Sequence, residues 1–276
     1  MSVWIEVNAM INKKNKTFQA GAIITGIMLL IIIIGAFWTP YDPNAMNGAA
    51  KWAKPSLEHL LGADNFGRDI FSRLVEGAGA TFFIAAASVA IGLVIGLVIG
   101  GFTGWYGGWI DEVLMRLIDS ITAFPSILLA LVLIAILPPG KYNIIIALGL
   151  LFIPSFARIV RMEVAKQKNL DYVRNAKLMG VGDMRILFVH ILPNVIPVLL
   201  STIAIGFNNA VLSEASMSYL GVGVQPPDPS LGRMLSEAQN YLLSAPWYAL
   251  SVGAVIILLI LGFGLISEGL GGDGNA

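Results

Sequence analysis

NLDYVRNAKLMGVGDMRILFVHILPN, residues 169–194, is a short basic segment broken by two glycines, set in a chain that otherwise reads as made for lipid. Asp171 fits the N-cap of a helix, where a carboxylate meets orphan backbone N–H groups and the positive end of the dipole. The helix can run to Met179, roughly 13 Å at 1.5 Å per residue, and Gly180 fits the left-handed position that ends it. Gly182 loosens the turn, and Asp183 is placed to cap the helix that follows. Tyr172, Ala176 and Met179 share one face at i, i+4, i+7 spacing, while Arg174 and Lys177 lie on the other. On physical grounds three readings stand level. The helix rests on anionic lipid, or it is a basic loop that fixes topology, or it is a knob for a partner's groove.

The rest of the chain sets the context. Of 276 residues, 57% are hydrophobic and 12% charged, with a mean hydropathy of +0.79. Soluble domains hold about 45–50% apolar and about 25% charged residues, so this composition implies an all-α polytopic membrane protein. Net charge is zero, which gives no field for a polyanion; lipid is an expected partner and nucleic acid is not. There is no cysteine, so disulfides, thiolate metal sites and a cysteine nucleophile are excluded. His59 and His190 have no second ligand at metal spacing and HExxH is missing, so no metal site is expected. No GxSxG marks a hydrolase. Gly140-Lys141 runs into Tyr142 without the glycines of a P-loop. The chain has no catalytic residues by this reading, and any ATP-derived work enters from another polypeptide.

Six segments are apolar enough to span, at about 20 residues each: Ala20–Trp38, Thr81–Gly101, Val113–Leu137, Asn143–Ile159, Ile191–Leu212 and Trp247–Ile266. The first follows Lys13, Lys14 and Lys16 but ends in Phe37-Trp38-Thr39-Pro40 without a small-x-small cleavage site, so it reads as a retained anchor. With the N-terminus inside, eleven of the 17 Lys and Arg residues are internal and six external, which favours N-in and C-in. The expected organisation is an internal segment 1–19, an anchor 20–38, an outer loop 39–80, a transmembrane domain 81–270 with an inner loop 160–190 between the fourth and fifth spans, and a tail 271–276. Ser88, Gly92, Gly96 and Gly100 form a row of small residues suited to close helix packing, within the chain or at a subunit interface. Pro125, Pro154, Pro193 and Pro197 permit kinks. No ionisable residue sits at mid-depth, which weighs against a secondary carrier or channel, the alternative class. Candidate path residues are Ser201, Asn208, Asn209, Glu214 and Ser216, since buried amides either bond neighbouring helices or line a wet cavity.

The segment DYVRNAKLMGVGDMRILFVHILPN resembles the cytoplasmic EAA loop of ATP-binding-cassette importer permeases through Gly180, His190, Leu192, Pro193 and Asn194. The Glu-Ala-Ala of that loop aligns with Arg174, Asn175 and Ala176, so the alanine alone agrees. HLLGADNFGRDIFSRLVEGA (59–78), GWYGGWIDEVLMRLIDSITAFPSILLALVLIAIL (104–137) and SYLGVGVQPPDPSLGRMLSEAQNYLLSAPW (218–247) are similar to the C-type subunit of the dipeptide/oligopeptide/nickel branch. The resemblance implies an inner-membrane permease of a binding-protein-dependent importer. Its partners would be a second homologous permease, two cytoplasmic ATPases that bind ATP and Mg²⁺, and an extracytoplasmic solute-binding protein; this chain itself would hold no cofactor. Residues Asp171, Tyr172, Val173, Arg174, Asn175, Ala176, Met179, Gly180 and Asp183 would form the coupling helix and its exit, docked in an ATPase groove. Short peptides would be the solute.

Overall fold

A computed structural model describes residues 2–136 and 140–270. In chain order its helices are α1 (Ser2–Phe37), α2 (Ile70–Tyr106), α3 (Gly108–Thr122), α4 (Ser126–Ile136), α5 (Lys141–Gln167), α6 (Asp171–Leu178), the single turn α7 (Asp183–Arg185), α8 (Leu192–Tyr219), α9 (Leu231–Ala238) and α10 (Pro246–Leu270). A π-helical turn, Ile186–Ile191, joins α7 to α8. Among the described residues there is no β-strand, and one isolated antiparallel bridge pairs Ala63 with Asp69.

Among the described residues, five helical stretches are long and apolar enough to cross a membrane: Lys16–Phe37, Ile70–Tyr106, Lys141–Gln167, Asp183–Tyr219 and Pro246–Leu270. They contain five of the six expected spans. Helix α2 has 37 residues, about 55 Å of rod against about 30 Å of hydrocarbon, so its ends stand well outside the lipid. The expected outer loop therefore gives way to helix at Ile70, and the expected inner loop begins as helix through Gln167. The expected span Val113–Leu137 is not a straight rod. It is α3 and α4, bent by 86°; Leu137, its expected end, and the expected tail 271–276 lie outside the described residues. Pro125 at this break has no N–H and crowds the preceding turn. Pro154 has the same defect inside α5 yet α5 runs on. The difference is support: Pro154 is buried among Ile153, Phe156 and Ala157, whereas Phe124 and Pro125 are exposed and nothing holds the helix together there.

The core of the bundle is the α2–α5 seam. The small-residue row packs inside the chain: a Cβ on Gly92, Gly96, Gly100 or Gly104 would lie 2.4 to 2.7 Å from Phe152, Phe156, Ala157 or Arg161. Ser88 Oγ donates to the Ile145 carbonyl at 3.3 Å in the same seam. Close backbone approach supplies dispersion contacts that lipid tails cannot match, which is how helices associate without a hydrophobic drive. Helix α1 uses the same device on α10, with a Cβ at Gly21 only 2.7 Å from the Ile266 nitrogen and one at Gly262 only 2.6 Å from Thr25 Oγ1.

At the end of the bundle that carries α9, residues 38–69 fold over the helix tips on a buried ionic cluster. Asp69 caps α2, accepting from Ser72 N and Ser72 Oγ at 2.8 Å each, and its other oxygen meets His59 Nδ1 at 2.9 Å. Arg68 Nε donates to Asp64 at 2.6 Å and Arg68 Nη2 to Glu237 at 3.0 Å; Arg73 and Tyr248 close on the same carboxylates. Asp64, Arg68 and Asp69 thus serve structure at this end of the bundle. Removing one member of a buried ion cluster strands the other charges. Arg68→Met is thus expected to lower stability by about 3–5 kcal/mol, read as a fall in the thermal midpoint of the detergent-purified chain.

Candidate functional site

At the opposite end of the bundle, α6 projects on a short loop from α5. The helix begins at Asp171, with Leu170 as N-cap and no side-chain cap, so Asp171 supplies first-turn charge rather than the cap itself. Asp183 is likewise the first residue of α7, behind Gly182, and caps nothing. The helix ends at Leu178, one residue short of the expected Met179, which is its C-cap, and Gly180 takes the expected left-handed position. Gly180 has φ +75°, its N–H donates to the Lys177 carbonyl at 3.0 Å, and Val181 N donates back to Ala176 at 3.1 Å. This paired return is the Schellman motif, which needs φ > 0 at the glycine.

The buried face of α6 differs from the expected one. Val173 and Ala176 are buried and Tyr172 is half-buried, while Met179 is 85% exposed and Leu178 87% exposed. The chain reverses at Gly180, so helical phase stops applying at Met179. Val181 folds back and takes the place on the seat that extrapolated periodicity gives to Met179. The seat consists of Trp105 from α2, Val160 and Val164 from α5, and Ile186, Leu187 and Ile191 from the π turn. Lys168 donates to the Trp105 carbonyl at 2.5 Å, and Lys177 Nζ stands 4.5 Å from the Trp105 ring centroid. The Tyr172 hydroxyl donates to Gln167 at 2.9 Å. Burial pushes its phenol above the ordinary range, against a smaller lowering effect from Asn194. Arg174 and Asn175, which replace Glu-Ala, are exposed, and Arg174 lies 3.6 Å from Asp171. Helix α3 is braced to the same region by Arg161–Asp111 at 2.5 Å and Arg158–Asp119 at 2.6 Å. The result is a short helix bonded to the roots of three long helices on one side and offering two large apolar side chains on the other.

The candidate path residues separate. Asn209 lines a cleft of about 320 Å³ between α4, α5 and α8, with Ser126, Ser155 and Ser213 as its other polar lining. Asn208 faces α10, its Nδ2 at the position where a Cβ on Gly264 would come within 3.4 Å. Among the described residues, its buried Oδ1 and the Ser201 hydroxyl have no hydrogen-bond partner. Ser201 is tied to α10 through its carbonyl, which accepts from Ser267 at 3.1 Å. Ser216 is exposed and returns its hydroxyl to the Leu212 carbonyl at 2.7 Å. Glu214 does not face the outside; it is 0% exposed, accepting from Thr81 Oγ1 at 2.7 Å and Ser218 Oγ at 2.6 Å. Leu178, Trp105, Thr81 and the three cleft serines are the residues that sequence reasoning missed. The one available signal was Leu178 beside Met179 in an otherwise polar segment.

A family model described as "Binding-protein-dependent transport system inner membrane component" matches residues 92–270, and one described as "N-terminal TM domain of oligopeptide transport permease C" matches residues 13–55. The Escherichia coli K12 dipeptide transport system permease protein DppC is 41% identical over 94% of this chain and 88% of its own length. The DppC of Alkalihalophilus pseudofirmus is 38% identical over 94% and 85%. The glutathione transport system permease protein GsiD of Pectobacterium atrosepticum is 38% identical over 91% and 85%. Among solved structures, the MetNI methionine ABC transporter in an inward-facing crystal form aligns with a TM-score of 0.60 at 20% identity, covering 71% of this chain and 93% of the matched one. The chain therefore belongs to the binding-protein-dependent transport inner membrane component family, on the oligopeptide permease C branch, and is a multi-pass inner-membrane permease subunit of an ABC importer.

Proposed function

We propose that this permease forms half of a pathway for di- and oligopeptides and that α6 is the helix through which a separate ATPase drives it. In this reading both termini are cytoplasmic, α3 and α4 together make the third of six spans, and the α9 end faces outward. A second homologous permease completes the pathway. Two cytoplasmic ATPases hold ATP and Mg²⁺, this chain holds no cofactor, and an extracytoplasmic binding protein delivers the solute at the α9 end. The observation that carries the reading is α6 itself. Its inner face is locked to α2, α5 and the root of α8, and its exposed Leu178 and Met179 fit the apolar anchors of helix-in-groove docking. Asp171, Arg174, Asn175 and Asp183 are exposed around it and supply the polar rim. Anionic lipid and plain topology account for the basic residues but not for an apolar tip directed away from the bundle.

Peptide is favoured as solute by the relatives named for dipeptide transport and by the chemistry of the cleft. Its polar groups are hydroxyls and one amide, without a fixed charge, so they suit backbone amides and tolerate varied side chains. Asn209→Leu is expected to lower uptake of a labelled dipeptide about tenfold, the loss of one hydrogen bond in a desolvated site. ATPase binding should be unchanged. Asn208→Leu should instead act on the packing of α8 against α10 and leave the solute dependence as it was. Uptake and ATPase pull-down with the reconstituted complex separate the two, and equal uptake by Asn209→Leu and the parent would remove the cleft from the path.

A further inference from the structure

Glu214 is the buried ionisable group that the pathway does not use, and its surroundings are ordered. Two hydroxyls that donate to its carboxyl each also receive a backbone N–H from the segment leading out of α8, and Ser230 of that segment adds a further side-chain hydrogen bond. Val224 N donates to Ser218 Oγ at 3.0 Å, and Ser218 Oγ donates to Glu214 Oε1 at 2.6 Å. Leu231 N donates to Thr81 Oγ1 at 3.1 Å, and Thr81 Oγ1 donates to Glu214 Oε2 at 2.7 Å. One carboxyl group therefore fixes both ends of residues 224–231 through two hydroxyl relays, one from its own helix and one from α2.

The fastened segment adjoins the cleft wall, and none of residues 222–231 lines the cleft itself. Val224 packs with Met217, Ala130, Ile134, Ile144 and Leu148, and Val222 covers the same cluster. Ala130, Leu148 and Met217 belong to that cluster and to the cleft wall alike, so an apolar roof begins where the cleft ends. The fit leaves no slack. A Cβ on Gly223 would fall 2.1 Å from Ser218 Oγ, the relay hydroxyl itself, and 2.5 Å from the Ser218 nitrogen, and one on Gly232 would fall 2.2 Å from the Ala215 carbonyl oxygen.

We infer that Glu214 is a positioning residue for transport: with Thr81 and Ser218 it holds residues 222–231 down as the outer seal of this chain's half of the pathway. The inference rests on the proposed reading of the cleft as pathway and of the α9 end as outward. It assigns Glu214 no contact with solute. The carboxyl must accept both hydroxyls for the roof to stay closed at rest, and the roof must lift when the binding protein delivers solute.

The cysteine-free sequence makes the test direct. Ser213→Cys places one thiol in the cleft of the reconstituted complex, and a membrane-impermeant maleimide is offered from either side. In the parent at rest, labelling is expected from the cytoplasmic side and not from outside; with ATP trapped and binding protein present, from outside. Adding Glu214→Ala should raise outside labelling at rest about tenfold or more, the loss of two hydrogen bonds to one carboxyl. Gly223→Ala should do the same by pushing Ser218 Oγ out of the relay while the carboxyl of Glu214 stays in place. It keeps the test decisive if Glu214→Ala fails to assemble. Glu214→Gln, which retains an acceptor, should stay nearer the parent. Normal side-switching in the parent with unchanged labelling in the variants would overturn the seal alone. Labelling of the introduced thiol from neither side in any nucleotide state would overturn the cleft as pathway, and the seal with it.

Discussion

Replacing Leu178 and Met179 together by aspartate is expected to abolish ATP-driven uptake while leaving the chain folded and inserted. Both side chains are nearly fully exposed, and neither belongs to a core cluster, so the fold loses no packing. A partner groove that buries them loses about 1.5–3 kcal/mol for each. Together that is about 3–6 kcal/mol, or roughly 10²- to 10⁴-fold in docking affinity. Two carboxylates at the C-terminal end of α6 also oppose its dipole. The measurements are uptake into proteoliposomes, capture of the ATPase by the purified chain, and the thermal midpoint of that chain. Full uptake with both aspartates present would remove α6 as the site where force enters. An unchanged midpoint with lost capture is the expected combination.

The second large effect concerns two adjacent glycines with opposite outcomes. A methyl group on Gly100 would sit 2.4 Å from the Ala157 carbonyl oxygen, 2.7 Å from Val160 Cβ and 2.9 Å from the Arg161 nitrogen. Two of these three are backbone atoms and cannot swing aside, so α2 and α5 must separate along the seam. Gly100→Ala is expected to cost about 3 kcal/mol or more, at the upper end for an overpacked core. At Gly101 the nearest atom to such a methyl is 4.0 Å away. Gly101→Ala removes only the entropic penalty of a helical glycine and should stabilise by about 0.5–1 kcal/mol. Denaturation of the two purified variants under one set of conditions decides it; equal shifts would mean that the seam is not packed as described.

The places where sequence reading succeeds and fails have a common physical basis. Lipid imposes its own period and length, so the spans can be found from apolar runs alone, and the Schellman turn at Gly180 can be found because φ > 0 selects glycine. Features that depend on local support are out of reach. Pro125 and Pro154 are the same residue in similar apolar runs, and only the neighbours that bury Pro154 explain why one helix breaks and the other continues. Met179 lands on the wrong face when periodicity is carried through a turn that reverses the chain. Glu214 reads as a path residue because it follows a span, but Thr81, 133 residues earlier in sequence, reaches it only in the folded bundle. The small-residue row is legible as a packing surface, and of its two readings the structure bears out packing within the chain.

The wide turn at Ile186–Ile191 bears on the proposed route from α6 into the bundle. An ordinary α-helix resists bending in every direction, whereas a π turn interrupts the regular ladder, as the bond from Leu192 N to the Leu187 carbonyl shows. Here Ile186, Leu187 and Ile191 are pinned against the interior, while Phe188 and Val189 are free on the outer side. In the proposed coupling, a joint held on one face and open on the other would let thrust delivered at its base emerge as a swing of α8 along a single arc.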